Sequence, residues 1–299
     1  MDGAWGWVVT AVGGLVVVVG LRDVFQTLWH PTGTGWLSGH VMSAVWRLAR
    51  SQQQRGRPGV LAGPVAMVLS IVAWVVVLVV GFTLVYAPHM PEGFLLGSSL
   101  DPSRRGGWLD ALYASTVTLA TLGYGDIVPS ASWLRVVVPG QALLGFATLT
   151  AAATWVMQIY PALVRRRVLA LRLAGLHRVG PARFVGDPDG QFAAQVLESL
   201  AAGVVQARVD LTQYSSTYYF RDGTEETSLA AMLGTAQELS EAARDAPRED
   251  VRVAGELLGL AVHDLAGILD QQYLHRDAGV TEVLEAYADD HGHRVVRAG

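Results

Sequence analysis

Cysteine is absent from the 299 residues, and so are lysine and asparagine. Without thiols the chain has no disulfides and no cysteine-ligated metal, and its redox compartment leaves no trace. All 22 basic residues are arginine, which reads as the codon bias of a GC-rich genome. Charge is scarce too: 16% of residues are charged against 51% hydrophobic, with mean hydropathy +0.33, too apolar for an ordinary soluble protein. Six arginines and no acid lie between Arg165 and Arg183, whereas acids dominate from Ala182 onward. The basic strip suits a membrane surface, and the acidic remainder suits water and argues against a nucleic-acid partner. No glycine-rich dinucleotide turn and no span with arginine at every third position occurs. Asp187-Pro-Asp189-Gly190 fails the calcium-loop pattern and reads as a plain turn. His263, His275, His291 and His293 read as exposed helix and tail histidines. No organic cofactor and no catalytic constellation is evident, so the chain does not read as an enzyme.

Three long apolar runs remain. Ala4 to Trp29 is long enough to cross a ~30 Å hydrocarbon core, and its acidic leader argues against a signal peptide. Arg22 and Asp23 read as boundary residues near its inner end. After a break at Pro31 to Gly35, residues 36–50 show helical spacing of Trp36, Leu37, Val41, Val45 and Leu48 opposite Arg47 and Arg50. This helix is too short to span, and it suits either the membrane interface or packing on a soluble domain. A polar linker leads to the second run, residues 60–86. A loop over 87–107, with Asp101, Arg104 and Arg105, precedes a short amphipathic segment, 108–120. The third run begins at Trp133.

Between the second and third runs lies Thr118-Leu-Ala-Thr121-Leu-Gly-Tyr-Gly-Asp126. A bare cation must exchange its hydration shell for oxygens, and a short strand whose carbonyls all face one way can supply them. Turning successive carbonyls to one side needs alternating left- and right-handed backbone, which glycine adopts cheaply, at Gly123 and Gly125. Together with Ala111 to Val117 before it and Pro129, Trp133 and Arg135 after it, this stretch resembles the pore of tetrameric potassium channels, especially the simple bacterial ones.

That resemblance covers about residues 60–160. It implies an all-α membrane protein: a pore domain (60–163) with outer helix 60–86, turret 87–107, pore helix 108–120, filter 121–126 and inner helix 133–163. Residues 1–59 add an N-terminal transmembrane helix and an interfacial helix. The implied filter is Thr121, Leu122, Gly123, Tyr124, Gly125 and Asp126, with K⁺ held at the first four and Tyr113, Val117 and Thr118 behind it. The implied function is passive, potassium-selective permeation through a homotetramer in the plasma membrane. Gly145 resembles the glycine at which inner helices of that family bend, and a packing glycine is the other reading. Pro139 beside Gly140 departs from the simplest pattern and predicts a kink nearby. Ala153, Thr154 and Met157 are candidates for the intracellular constriction. Val117 stands where family members commonly carry glutamate, and an aromatic pair is reduced to Tyr113-Ala114, leaving the Tyr113 hydroxyl as the obvious partner of Asp126.

Arginine counts of five over 22–59, two in the turret and five over 165–178 put the N-terminus outside and the C-terminus in the cytoplasm. Residues 164–190 read as a basic connector. Residues 191–299 carry four amphipathic helices that can form a bundle, with 214–221 as a strand or extended linker. No known regulatory module is legible there, so a cytoplasmic ligand or partner is left open. Two other functions are open as well: a subunit of a potassium-uptake transporter, or a scaffold whose bundle recruits a partner.

Overall fold

The computed structural model describes residues 3–29, 35–53, 59–97, 107–187 and 192–297. Its helices are α1 (Gly3–Leu28), α2 (Trp36–Gln53), α3 (Ala62–Tyr86), α4 (Trp108–Leu119), α5 (Leu134–Val179), α6 (Pro181–Gly186), α7 (Ala193–Gln213), α8 (Leu229–Ala243), α9 (Glu249–Leu269) and α10 (Val280–Asp290). Two short strands, β1 (Phe94–Leu96) and β2 (Ile127–Pro129), pair antiparallel. Apart from these strands, the regular elements among the described residues are helical. Three helices are long and apolar enough to cross a membrane: Gly3–Leu28, Ala62–His89 and Leu134–Val179. The chain divides into two units, Met1–Val41 with Met67–Met157, and Met42–Ala66 with Gln158–Gly299.

In the first unit, Leu78, Phe82, Val85, Tyr86, Phe94, Ala111, Ala114, Leu119 and Leu134 form one apolar core. α1 lies against α3 at a point where neither backbone carries a side chain. A Cβ on Gly13 would come within 2.6 Å of the Gly81 carbonyl, and one on Gly81 within 2.7 Å of Val17. Small residues are what permits such an approach between apolar helices, where packing rather than the hydrophobic effect holds them together.

Asp23, near the end of α1, is a buried side chain with partners of its own. It is buried at 5% exposure, and its carboxylate accepts hydrogen bonds from the Leu37 and Ser38 amides (2.7 and 3.2 Å) and from the Trp74 indole (2.7 Å). Those amides are orphan donors in the first turn of α2, where a negative charge is favoured.

The second unit is built around α9, which packs on both α7 and α8. Its apolar face repeats at Val251, Ala254, Leu258, Ala261, Leu265 and Leu269, all buried. Ser228 caps α8 by accepting the Ala231 amide. The basic connector that the sequence predicts over 164–190 is instead helical to Val179. α5 runs unbroken for 46 residues, about 69 Å at 1.5 Å per residue, so over half its length exceeds what a ~30 Å core needs. Its later turns place Leu169, Ala170, Leu173 and Ala174 in the helical core. The Arg165–Arg167 cluster is paired within this unit. Arg165 forms a two-bond fork with Asp210 (2.9 and 2.7 Å). Buried Arg166 donates to the Thr217 and Phe220 carbonyls and to Asp222 Oδ2, while Arg167 takes Asp222 Oδ1 at 2.6 Å. Residues 215–219 form a 3₁₀ turn, neither a strand nor an extended linker, and of its carbonyls that of Thr217 accepts from Arg166. The expected turn at Asp187 to Gly190 and the turret charges Asp101, Arg104 and Arg105 lie outside the described residues.

Of the two readings of α2, packing on the helical unit holds for its later turns. Trp46 is buried there, donating to Asp290 Oδ2 at 2.8 Å, with Arg221 stacked 4.2 Å over its ring. His291 is also buried rather than an exposed tail residue. Its ring nitrogens face the Tyr287 and Tyr218 carbonyls at 3.0 and 2.8 Å. Those carbonyls favour the cation, but burial and the charge of Arg166 outweigh them and lower its pKa from 6.5 to about 4.

Asp222→Ala leaves the Arg166 guanidinium buried without its anion and should cost about 3–5 kcal/mol in denaturant unfolding of the full chain, with Asp222→Asn costing less. His291 is neutral in the folded chain, so the unfolded chain binds more protons between pH 6.5 and 4. Stability from this group is complete above pH 6.5 and is lost as pH falls towards 4, by about 3 kcal/mol. Thermal unfolding across that range should show the loss, and His291→Gln should flatten it.

Candidate functional site

The candidate site follows from how α4 ends. Its last turn closes with the Thr121 amide on the Thr118 carbonyl and the Leu122 amide on the Val117 carbonyl, both at 2.9 Å. The chain then leaves with left-handed backbone at Thr121 (φ 57°), Gly123 (φ 54°) and Gly125 (φ 79°), and at none of the residues between. This alternation turns successive carbonyls to one side, the arrangement a row of cation-binding oxygens requires. The two glycines occupy the positions where they cost nothing, but Thr121 adopts the same conformation without being glycine. Its strain is held by the α4 cap just before it. Thr121, Leu122, Gly123, Tyr124 and Gly125 are exposed in the single chain.

At the far end, Asp126 is fastened three ways. Tyr113, on α4, donates its hydroxyl to Asp126 Oδ2 at 2.7 Å, the partner the sequence singles out. The Ile127 amide donates to Oδ1, and the Gly97 amide to the Asp126 carbonyl at 2.7 Å. The last contact continues the β1–β2 ladder, in which Leu96 faces Ile127. Val117 is buried and Thr118 partly so, behind the strand.

A buried polar network that the sequence reading missed holds α4 from behind. Gln141, fully buried on α5, donates its amide to the Ser115 carbonyl (2.9 Å) and hydroxyl oxygen (3.0 Å), and accepts from the Tyr86 hydroxyl at 2.6 Å. Ser115 in turn donates to the Val79 carbonyl at 2.9 Å. α3, α4 and α5 are thus joined by four hydrogen bonds in an apolar setting, where an unmade bond is costly. The signal was present: Gln141 is an amide side chain in the middle of the third apolar run.

On α5, Pro139, Gly140 and Gly145 all lie within continuous helix. Gly145 has a packing reason of its own, since a Cβ there would run into the Leu119 carbonyl. Gly140 faces open space. Ala153, Thr154 and Met157 share an exposed stripe with Phe146, Leu149 and Thr150, while Thr148, Ala151, Ala152, Trp155 and Ile159 face inward. Trp155 lies 5.4 Å from the Trp74 ring. Thr150 and Thr154 return their hydroxyls to their own helix, on Phe146 and Thr150 carbonyls, so the stripe offers no unmet donor. Among the described residues no group of three or more His, Asp or Glu side chains could hold a metal ion.

Comparison with known proteins agrees with this geometry. The model of the ion channel family matches residues 69–160. The chain is 25% identical over 170 residues to a Bacillus subtilis (strain 168) protein described as "Uncharacterized membrane protein YdjJ", covering 56% of this chain and 49% of that one. The chain therefore spans about half the length of that curated relative. No solved structure matches it. Residues 69–160, which hold α4, β2 and most of α3, are thus the part of the chain that is similar to ion channels.

Proposed function

We propose that the protein is a potassium-selective channel working as a homotetramer, with K⁺ passing down its gradient along the 121–126 strand. The observation that carries this reading is the left-handed backbone at Thr121, Gly123 and Gly125, directly after a helix whose C-terminal end bears partial negative charge. K⁺ would be held by the carbonyls of Leu122, Gly123 and Tyr124 and by Thr121. One strand offers oxygens on one side only, so a cage around the ion needs further copies. The exposed apolar side chains of Leu122, Tyr124, Phe146, Leu149 and Met157 supply surface for those copies to cover.

In this reading residues 60–163 are the pore domain, and the stripe of Ala153, Thr154 and Met157 lines the intracellular constriction. Flexing of α5 around Pro139, Gly140 and Gly145 would widen it. Residues 191–299 would modulate opening from the cytoplasm, since α5 continues into the core of the helical unit without a break. The protein would pass the plasma membrane three times, N-terminus outside, by the arginine distribution.

Gly123→Asp puts a side chain and a charge on a left-handed glycine. It should abolish K⁺ flux into liposomes while cross-linking still reports a tetramer; undiminished flux would refute the pore assignment. Gln141→Leu leaves Tyr86 and Ser115 without their partner. It should lower the K⁺ over Na⁺ flux ratio severalfold, whereas an unchanged ratio would mean that α4 is positioned by apolar packing alone.

A further inference from the structure

Away from the pore strand, the helical unit contains a cavity of about 370 Å³, lined by Arg47, Arg50, Tyr219, Tyr273, Arg276 and Asp290 among others. That volume lies within the range of small-ligand sites. We infer that it binds a phosphate-bearing anion, gripped by Arg47 and Arg276 against the Tyr219 and Tyr273 rings.

The charge balance of the cavity is the first argument. Asp290 is its one lining carboxylate, and both oxygens are already engaged: Oδ1 by Arg50 at 2.8 Å, Oδ2 by the Trp46 indole at 2.8 Å and the Tyr218 hydroxyl at 2.7 Å. Arg50 also reaches Asp289. Arg47 makes only a 3.3 Å bond to the Ser43 carbonyl of its own helix. Among the described residues, neither Arg47 nor Arg276 has a salt bridge. Two guanidiniums without counter-ions therefore meet at one cavity, in a chain whose net charge is −4. A planar fork of N–H donors matches phosphate oxygens in geometry as well as charge.

The second argument is the backbone that carries Arg276. α9 ends in a π-helical turn, Asp270–Leu274, a form that recurs at functional sites. His275 (φ 52°) and Asp277 (φ 50°) follow in the left-handed region without being glycine. Asp270 holds this turn by accepting the Arg276 and Asp277 amides at 2.7 and 2.9 Å. Non-glycine residues in that region are strained, and the result is an Arg276 that lines the cavity.

The wall is rigid. Tyr273 stacks on Tyr218 with centroids 4.0 Å apart and planes 2° from parallel, and its hydroxyl is held by the Leu211 and Ser215 carbonyls. The Tyr219 ring is half-buried beside it. A pre-formed aromatic face next to free guanidiniums suits a phosphate joined to an organic body. Such a group reaches the site either as a free phosphate compound or as a lipid headgroup.

The test is calorimetric titration of the full chain in detergent, with pyrophosphate as the soluble probe and short-chain phosphatidic acid in the same micelles as the lipid probe. Saturable heat with pyrophosphate identifies a free phosphate ligand, and saturable heat with phosphatidic acid alone identifies a headgroup. In either case Arg47→Gln with Arg276→Gln should weaken binding at least tenfold, while Arg172→Gln, elsewhere on the helical unit, should leave it unchanged. The inference is overturned if neither probe saturates, if the double variant binds as the parent does, or if R172Q weakens binding equally. Both arginines are exposed, and each single variant is titrated too, so a folding defect in the double variant still leaves a readable result. Binding is measured without ion flux, so the outcome is independent of the proposed selectivity.

Discussion

The first unit depends on one constraint: α4 must stop, and the chain after it must alternate between left- and right-handed backbone. Nothing in an isolated peptide would keep Thr121 left-handed, so the conformation has to be imposed from both ends. At the start, the α4 cap uses the Thr118 and Val117 carbonyls. At the finish, Tyr113, Gly97 and the β1–β2 ladder hold Asp126. Behind both, Gln141 ties α4 to α5 and, through Tyr86 and Ser115, to α3. Each bond is worth only about 1 kcal/mol net, but leaving a buried amide unpaired costs more. The network therefore acts chiefly by making other positions of α4 expensive.

The helical unit solves a different problem with the same means. Charge is rare in this chain, yet aspartates at 210, 222 and 290 each collect more than one donor from distant segments. Asp222 joins Arg166 and Arg167 of α5, and Asp290 joins α2 to the 3₁₀ turn through Trp46, Arg50 and Tyr218. Buried ion pairs of this kind add little net stability over an apolar core, but they penalise mispacking severely. α2 shows the effect at both of its ends. Asp23 neutralises the orphan amides of its first turn, and Asp290 receives its later side chains. An amphipathic helix that could have lain on a lipid surface is thereby given fixed partners.

Much of the local structure around Thr121 to Asp126 was legible beforehand. Apolar runs of spanning length, a short helix before Thr121 and glycine at alternate positions are local properties, readable from composition and spacing. The Tyr113–Asp126 pair was readable as well, because the two residues are only 13 positions apart. What escaped was long-range polar pairing. Asp23 looks like a charge at a membrane boundary until Trp74, 51 residues away, is placed beside it. Arg165 to Arg167 look like a lipid-facing cluster until Asp210 and Asp222 are brought to them. His291 looks like a tail residue until the Tyr218 carbonyl, 73 residues earlier, closes over it. The break expected after residue 163 failed for a related reason: an arginine run does not end a helix when each arginine has a carboxylate or carbonyl to meet.

By itself the sequence determined membrane-spanning runs, a helix followed by a strand of alternating glycines, and an amphipathic helical remainder. These follow from local backbone preference and from the free energy of moving side chains out of water, both properties of short windows. The tertiary structure alone decided which polar groups are buried together, that Thr121 shares the handedness of the glycines, that α5 continues for 46 residues, and that two unpaired arginines meet at one cavity. Most of those outcomes depend on segments tens to hundreds of residues apart meeting within a low-dielectric interior. There the cost of an unsatisfied group, rather than its local propensity, selects its place.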